Sequence, residues 1–379
     1  MPQSLWRVAP PALLVGDTCA LMNDVVQGTR NGRLTSLIVA LDHDTYRLVI
    51  SRHVLTEVER DLPGYAADRR VDAVEAVRRW RRYYLQYARV VDVPDEWGTT
   101  HPQVAEVEQR HPTDAPTARL AAALAQCCVL TEDGDLTDYG FGSHNWLPLT
   151  HAGANHAEFE MAVTAVGLPA VVTSLAIWGV GRTFVRAPHG LQATTLLLAA
   201  AAAYWWQKGG RAERHLHQMK AAAQRALGVA GPFGFELLTT YATAVQTQAG
   251  RAVEPARVTV LSERIARTLA LGSNEGMLAR EIAAALGMTE SPEYAAAKVR
   301  SALRSSAAYV EVSRGRWHLG CRARTEPLPL PDDEYQEWMT RAFGYLLKQV
   351  AGRAGLKNEI TGPPLPMQRG DRLGGSEAS

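Results

Sequence analysis

Over residues 1–152, short apolar runs alternate with helical patterns, and that alternation leaves little choice of fold. Ala12-Leu13-Leu14-Val15 reads as a strand ending at Gly16-Asp17, and Tyr46 to Ile50 reads as a second strand. A helix follows from Val54 to Leu62. Val71 to Tyr87 reads as helical, with Val71, Val74, Val77 and Leu85 expected inside. Ala115 to Gln126 is another helix, and Cys127 to Leu130 is a strand directly after it. Strands separated by helices imply an α/β fold with a largely parallel sheet.

Acidic residues sit at the joints of this pattern. Asp17 follows the first strand, and Asp133 follows Val129-Leu130-Thr131-Glu132, with Asp135 two places on. Glu57 falls in the first turn of the Val54 helix, and Asp114 precedes Ala115-Pro116-Thr117. Singly, each has an ordinary role. Asp17 suits a turn, Asp114 a helix N-cap with proline in the first turn, and Glu57 the positive end of a helix dipole. Together they mean more, because sites in parallel sheets form beyond the carboxyl ends of the strands. Four carboxylates gathered there repel one another and resist ionisation unless a cation neutralises them. Hard oxygen ligands suit Mg²⁺ or Mn²⁺ rather than zinc, and such ions can activate water against a phosphodiester.

The flanking residues extend the argument. Leu13-Leu14-Val15-Gly16-Asp17-Thr18-Cys19-Ala20-Leu21 resembles the opening strand motif of PIN-domain nucleases. Ile50 to Val58 resembles their second motif, Asp114 to Ala121 the third, and Val129 to Leu136 the fourth, in matching order. The resemblance covers about residues 10–150 and implies a three-layer α/β/α fold. It implies Mg²⁺- or Mn²⁺-dependent cleavage of RNA, often as the toxin of a toxin–antitoxin pair, with an antitoxin partner and a homodimer. By motif, Asp17, Glu57, Asp114 and Asp133 become the catalytic, metal-binding set, with Asp135 as a further metal candidate. Thr18 and Thr131 are candidates for metal or phosphate contacts. Cys19 departs from the family, where Asn is common, and this puts a supporting hydrogen bond in doubt. Glu59 lies near Glu57, and helical geometry alone does not choose between them; the family pattern favours Glu57.

The chain has 379 residues, room for roughly two or three domains, and 46% of them are apolar, enough for a sizeable core. A net charge of +1 gives no global signal for binding polyanions, so any nucleic-acid surface must be local. The four cysteines include no CxxC spacing, which argues against a zinc knuckle or disulfide framework and for a reducing compartment. The N-terminal residues carry no signal-peptide pattern. A first module is thus expected over 1–152.

A helical segment over 153–254 follows, with two stretches free of Asp, Glu, Lys and Arg, 161–181 and 187–207. Each is close to the roughly 20 residues that cross a bilayer as helix. Tyr204, Trp205 and Trp206, followed by Lys208, Arg211 and Arg214, suit a membrane interface. Pro169, the wealth of Ala, Thr and Gly, and Arg182 and Arg186 in the connection suit a buried soluble pair instead. The expected location is cytoplasmic, at the inner face of the cell membrane if the hairpin reading holds.

Residues 255–322 resemble a winged helix: helices over Val258–Leu271, Met277–Leu286 and Tyr294–Ser306, then a hairpin tipped by Ser313-Arg314-Gly315-Arg316. Lys298, Arg300 and Arg304 on the third helix, with Arg314 and Arg316 on the hairpin, are candidates for nucleic-acid contact. Arg69, Arg70, Arg78, Arg79, Arg81 and Arg82 surround Trp80, Tyr83 and Tyr84, a run that suits phosphates and unpaired bases or else a solvated helix face. Residues 323–379 hold a helix and then a tail rich in Pro, Gly, Arg and Ser that reads as disordered.

The first expectation is a divalent-metal-dependent endoribonuclease, a toxin or defence effector. The alternative is a DNA-binding regulator whose first module is an inert interaction domain. A third reading is a membrane-bound effector whose middle segment disrupts membranes.

Overall fold

The computed structural model describes residues 11–125, 127–158, 236–247, 260–272 and 275–322. Apolar side chains alternate along each strand, and in a pleated strand alternate residues face opposite sides. That pattern fixes where the helices go. Strands β1 (Ala12–Gly16), β2 (Tyr46–Ser51), β3 (Arg89–Val91) and β4 (Cys128–Leu130) are parallel to their neighbours. On one face, Leu13, Val15, Val49, Val91 and Val129 pack beneath helices α5 (Pro102–Arg110) and α6 (Ala115–Leu124). On the other, Leu14, Leu48, Ile50, Val90, Cys128 and Leu130 pack against α1 (Thr18–Asn31), α2 (Ser36–Asp42), α3 (Arg52–Asp68) and α4 (Ala73–Arg79). The result is an α/β fold with a mostly parallel five-stranded sheet and helices on both sides.

The strand order is β4-β1-β2-β3-β8, where β8 is Cys321–Arg322. From β1 the chain steps through β2 to β3, then crosses back to place β4 on the other side of β1. The order therefore reverses between β1 and β4, and a crevice opens beyond the carboxyl ends of strands at such a point. Asp17 follows β1 at this reversal, and the short helix α7 (Gly134–Thr137) begins just after β4.

The basic aromatic run departs from the sequence expectation. Asp72 caps α4 by accepting from the backbone amides of Val74 and Glu75, so Val74 falls in the first turn and is 79% exposed rather than buried. A π-helical turn over Trp80–Tyr84 follows, with Leu85 N donating to Trp80 O. The wider turn carries Trp80, Tyr83 and Tyr84 into the core, where Tyr84 donates to Asp24. Arg79 is buried too and donates to Arg33 O. Those rings fill core space and offer no stacking platform for bases.

Residues 260–322 add a second, antiparallel sheet. Helix α8 (Leu261–Leu271) leads to strand β5 (Met277–Leu278), α9 (Ala279–Ala285), α10 (Pro292–Arg304) and the hairpin β6 (Tyr309–Ser313) and β7 (Arg316–Leu319). The sheet order is β5-β7-β6. Met277 and Leu278 were expected as the first turn of a helix. They instead pair with Trp317 and Arg316, and Glu281 closes the helix behind them by accepting from Leu278 N.

This part does not stand apart from the parallel sheet. Ile265, Ala266 and Leu269 of α8 share one core with α6 and with Val15 and Val49. Arg47 donates to Ala270 O and Gly272 O, and Arg89 to Leu269 O, so two sheet arginines cap the carbonyl end of α8, where cations are favoured. Buried Glu263 accepts from Gly98 N. The chain then turns at Gly320 (φ 62°) and lays β8 antiparallel along β3. A Cβ at Gly320 would stand 2.3 Å from Val90 O, so only glycine permits that approach.

The stretches 161–181 and 187–207, and residues 323–379, lie outside the described residues. Among the described residues no helix is long and apolar enough to cross a membrane.

Candidate metal centre

Asp17 occupies the N-cap position of α1, yet its side chain makes no cap hydrogen bond to that helix. Its Oδ2 accepts from the Thr131 hydroxyl (2.9 Å) and the Cys19 thiol (3.0 Å). Asp17 is buried, and this burial raises its pKa; the nearby Asp133 charge adds to the rise, while the Cys19 and Thr131 bonds oppose it. Cys19 thus supplies the donor that its difference from asparagine had put in doubt. Burial pushes the thiol up to about 12, so it stays protonated and donates.

Glu57 lies in the second turn of α3, one turn further in than expected, because the helix begins at Arg52 after the Ser51 cap. Thr18 donates to Glu57 Oε2 (2.7 Å), and His53 Nε2 stands 3.2 Å from Oε1. Glu59 is exposed, so Glu57 is the residue turned toward Asp17's helix. Thr18 and Thr131 both act by orienting a carboxylate.

Asp114 immediately precedes α6, but its backbone (φ −91°, ψ −11°) is not that of a cap and its side chain makes no cap bond. The capping account therefore does not apply. Its pKa is raised to about 6, chiefly by burial, with the charges of Asp17, Asp133, Asp135 and Glu57 each contributing to the rise. Asp24 offers a useful contrast. It too is raised to about 6 by burial, but Tyr84 and Thr35 hydroxyls hold it (2.6 and 2.7 Å) and it belongs to the core. Asp114 has no such partners. Asp133 alone keeps a capping role, accepting from Asp135 N.

Carboxylates from five positions therefore face one region at the strand reversal, and Asp114 feels all the other four. Sequence reasoning missed His111. Its Nδ1 lies 2.7 Å from Asp135 Oδ2. One ligand atom each from His111, Asp114 and Asp135 fall within 4.8 Å of one another, the one such group found among the described residues. The only trace in the sequence is the i, i+3 spacing to Asp114. A donor set of carboxylates with one imidazole suits a divalent cation.

A cleft of about 420 Å³ is lined by none of these carboxylates. Ser51, Arg52 and His53 line it from the start of α3, Pro116 from α6, Asp92 to Glu96 from the loop after β3, and Ser305 to Ala307 from the end of α10. Arg52 pairs with Asp92, and Arg119 with Asp95.

The raised Asp114 has a consequence for stability. The folded state holds its proton over a window, from about pH 4 to about pH 6, in which the unfolded chain has released it, so stability falls as pH rises through that window. Asp114→Asn removes this loss. With divalent ions chelated, the variant should melt above the parent near neutral pH, and the gap should shrink toward pH 4. Thermal denaturation across that range checks it; a gap independent of pH would contradict the raised pKa of Asp114.

The five basic candidates are distributed unevenly. Arg300, Arg304 and Arg314 are exposed, and Lys298 is exposed but 3.3 Å from Glu290. Arg316 is partly buried and donates to Gly276 O.

No family model, curated protein or solved structure matches this chain.

Proposed function

We propose that the first module is a PIN-type, divalent-cation-dependent endonuclease that hydrolyses RNA phosphodiester bonds. One observation carries the reading: the Asp114 side chain makes no capping or other hydrogen bond, and it is half-buried among the charges of Asp17, Glu57, Asp133 and Asp135. Carboxylates gathered in this way favour a positive charge among them, and Mg²⁺ or Mn²⁺ fits their oxygens. When bound, such an ion lowers the pKa of a coordinated water and offsets charge on the phosphate. The chain's own residues prepare the place. Thr131 and Cys19 fix the Asp17 carboxylate, Thr18 fixes Glu57, and Asp133 shapes the turn into α7. The test is cleavage of a mixed RNA pool with Mg²⁺ or Mn²⁺; no cleavage under any divalent ion sinks this reading.

The order helix, strand, two helices, hairpin supports a winged helix in residues 260–319, with α10 as the element that meets nucleic acid. This favours a second reading, a DNA-binding regulator whose first module is inert. Arg300→Ala combined with Arg304→Ala should weaken duplex binding for all sequences and reduce the salt slope by roughly 1–2. An unchanged slope would remove α10 from the interface. Tight duplex binding without RNA cleavage would favour the regulator. A toxin role adds an antitoxin partner and a homodimer, and a membrane tether through 161–207 is tested by fractionation. Recovery of the whole chain without detergent overturns the tether.

A further inference from the structure

His111 sits in the connection between α5 and α6, where its ring tilts against Tyr139 with centroids 6.2 Å apart. Its contact with Asp135 has an ordinary reading as a surface ion pair, and both side chains are partly exposed. That reading leaves Asp114 unexplained. Asp114 completes the group within 4.8 Å, yet its carboxylate neither caps α6 nor accepts a hydrogen bond there. Ligands of an octahedral ion at about 2.1 Å stand about 3 Å apart when adjacent and about 4.2 Å apart when opposite. Three donor atoms within 4.8 Å need little movement to share one ion.

We infer that His111 is a nitrogen ligand of a divalent cation held with Asp114 and Asp135, and that it makes this position favour Mn²⁺ and later first-row ions over Mg²⁺. The inference rests on the proposed reading of the acidic group as a cation site. Mg²⁺ is hard and takes oxygen donors, whereas first-row transition ions accept imidazole readily. Without the ring, two carboxylates remain, a set as suited to Mg²⁺ as to Mn²⁺. His111 therefore sets selectivity as well as affinity.

The test uses the full chain without nucleic acid, titrated with Mn²⁺ and followed by electron paramagnetic resonance. Bound Mn²⁺ should show hyperfine coupling to an imidazole nitrogen. His111→Ala should remove that coupling and weaken Mn²⁺ binding by about 10–100-fold, the scale on which even supporting residues act, while Mg²⁺ affinity stays close to the parent's. His111→Gln keeps a hydrogen-bonding group near Asp135 without the ring and should behave like His111→Ala. His53→Ala removes the imidazole beside Glu57 and should keep the coupling. Bound Mn²⁺ without nitrogen coupling, coupling that survives loss of His111, or equal losses for both ions would overturn the inference while leaving the nuclease reading intact. A parent that binds no divalent ion overturns both.

Discussion

Asp17→Asn is expected to abolish divalent-dependent RNA cleavage while leaving a folded protein that, with ions chelated, melts no lower than the parent. The two halves of this result have one cause. The Asp17 carboxylate is buried beside Asp133, and burial is the larger part of what opposes its charge. Asparagine removes the charge but keeps an oxygen that can accept from Thr131 and Cys19. The apo fold therefore loses a repulsion and retains its bonds. On the proposed nuclease reading the same change removes a charged ligand, and loss of several kcal/mol of charge stabilisation corresponds to roughly 10³-fold or more in rate. Activity and chelated melting temperature should move apart. Cleavage at the parent's rate would remove Asp17 from the site, and a lower melting temperature in chelator would mean that its charge stabilises the fold.

Much of this arrangement could be read from the chain because its signals are local. The apolar runs at Ala12–Val15, Tyr46–Ile50 and Val129–Leu130 are strands buried on both faces, and Pro116 marks the start of α6. Where the signal is distant, the reading stopped. Helix α1 went unread because its inward face includes Asp24, a residue that makes sense inside only when Tyr84 and Thr35 supply hydroxyls. Strand β3 is three residues long and begins with a buried arginine whose carbonyl partner lies 180 positions away. Strand β8 exists because the chain returns to the sheet edge at Gly320, which no local pattern announces. The aromatic run misled for a related reason: a π turn changes the helical register, and periodicity counted at 3.6 residues then points the wrong side chains inward. The acidic residues were legible as a set, whereas His111 acquires its place only through Asp135, 24 positions on.

Leu269→Ala is expected to destabilise the acidic site as well as its own helix, by about 2–5 kcal/mol in a single transition. The sequence reading divides the chain at about residues 152 and 255, and if 255–322 folded independently, damage to α8 would stop at that boundary. The packing argues otherwise. Leu269 is 1% exposed and lies in a core that runs without a break through α6 to Val15, the residue two before Asp17. Its carbonyl accepts from Arg89 of β3, and the next turn of backbone accepts from Arg47 of β2. Removing the side chain leaves a cavity against α6, which carries Asp114 at its start, and loosens the helix end that two sheet arginines cap. Those cations would then sit beside carbonyls no longer held in place, so the loss passes back into the sheet. Hydrogen exchange resolves the alternatives: amides of α6 and β1 should lose protection together with those of α8. Protection lost in 260–319 alone would mean two independent folding units, and the acidic site would then owe nothing to the helix docked against it.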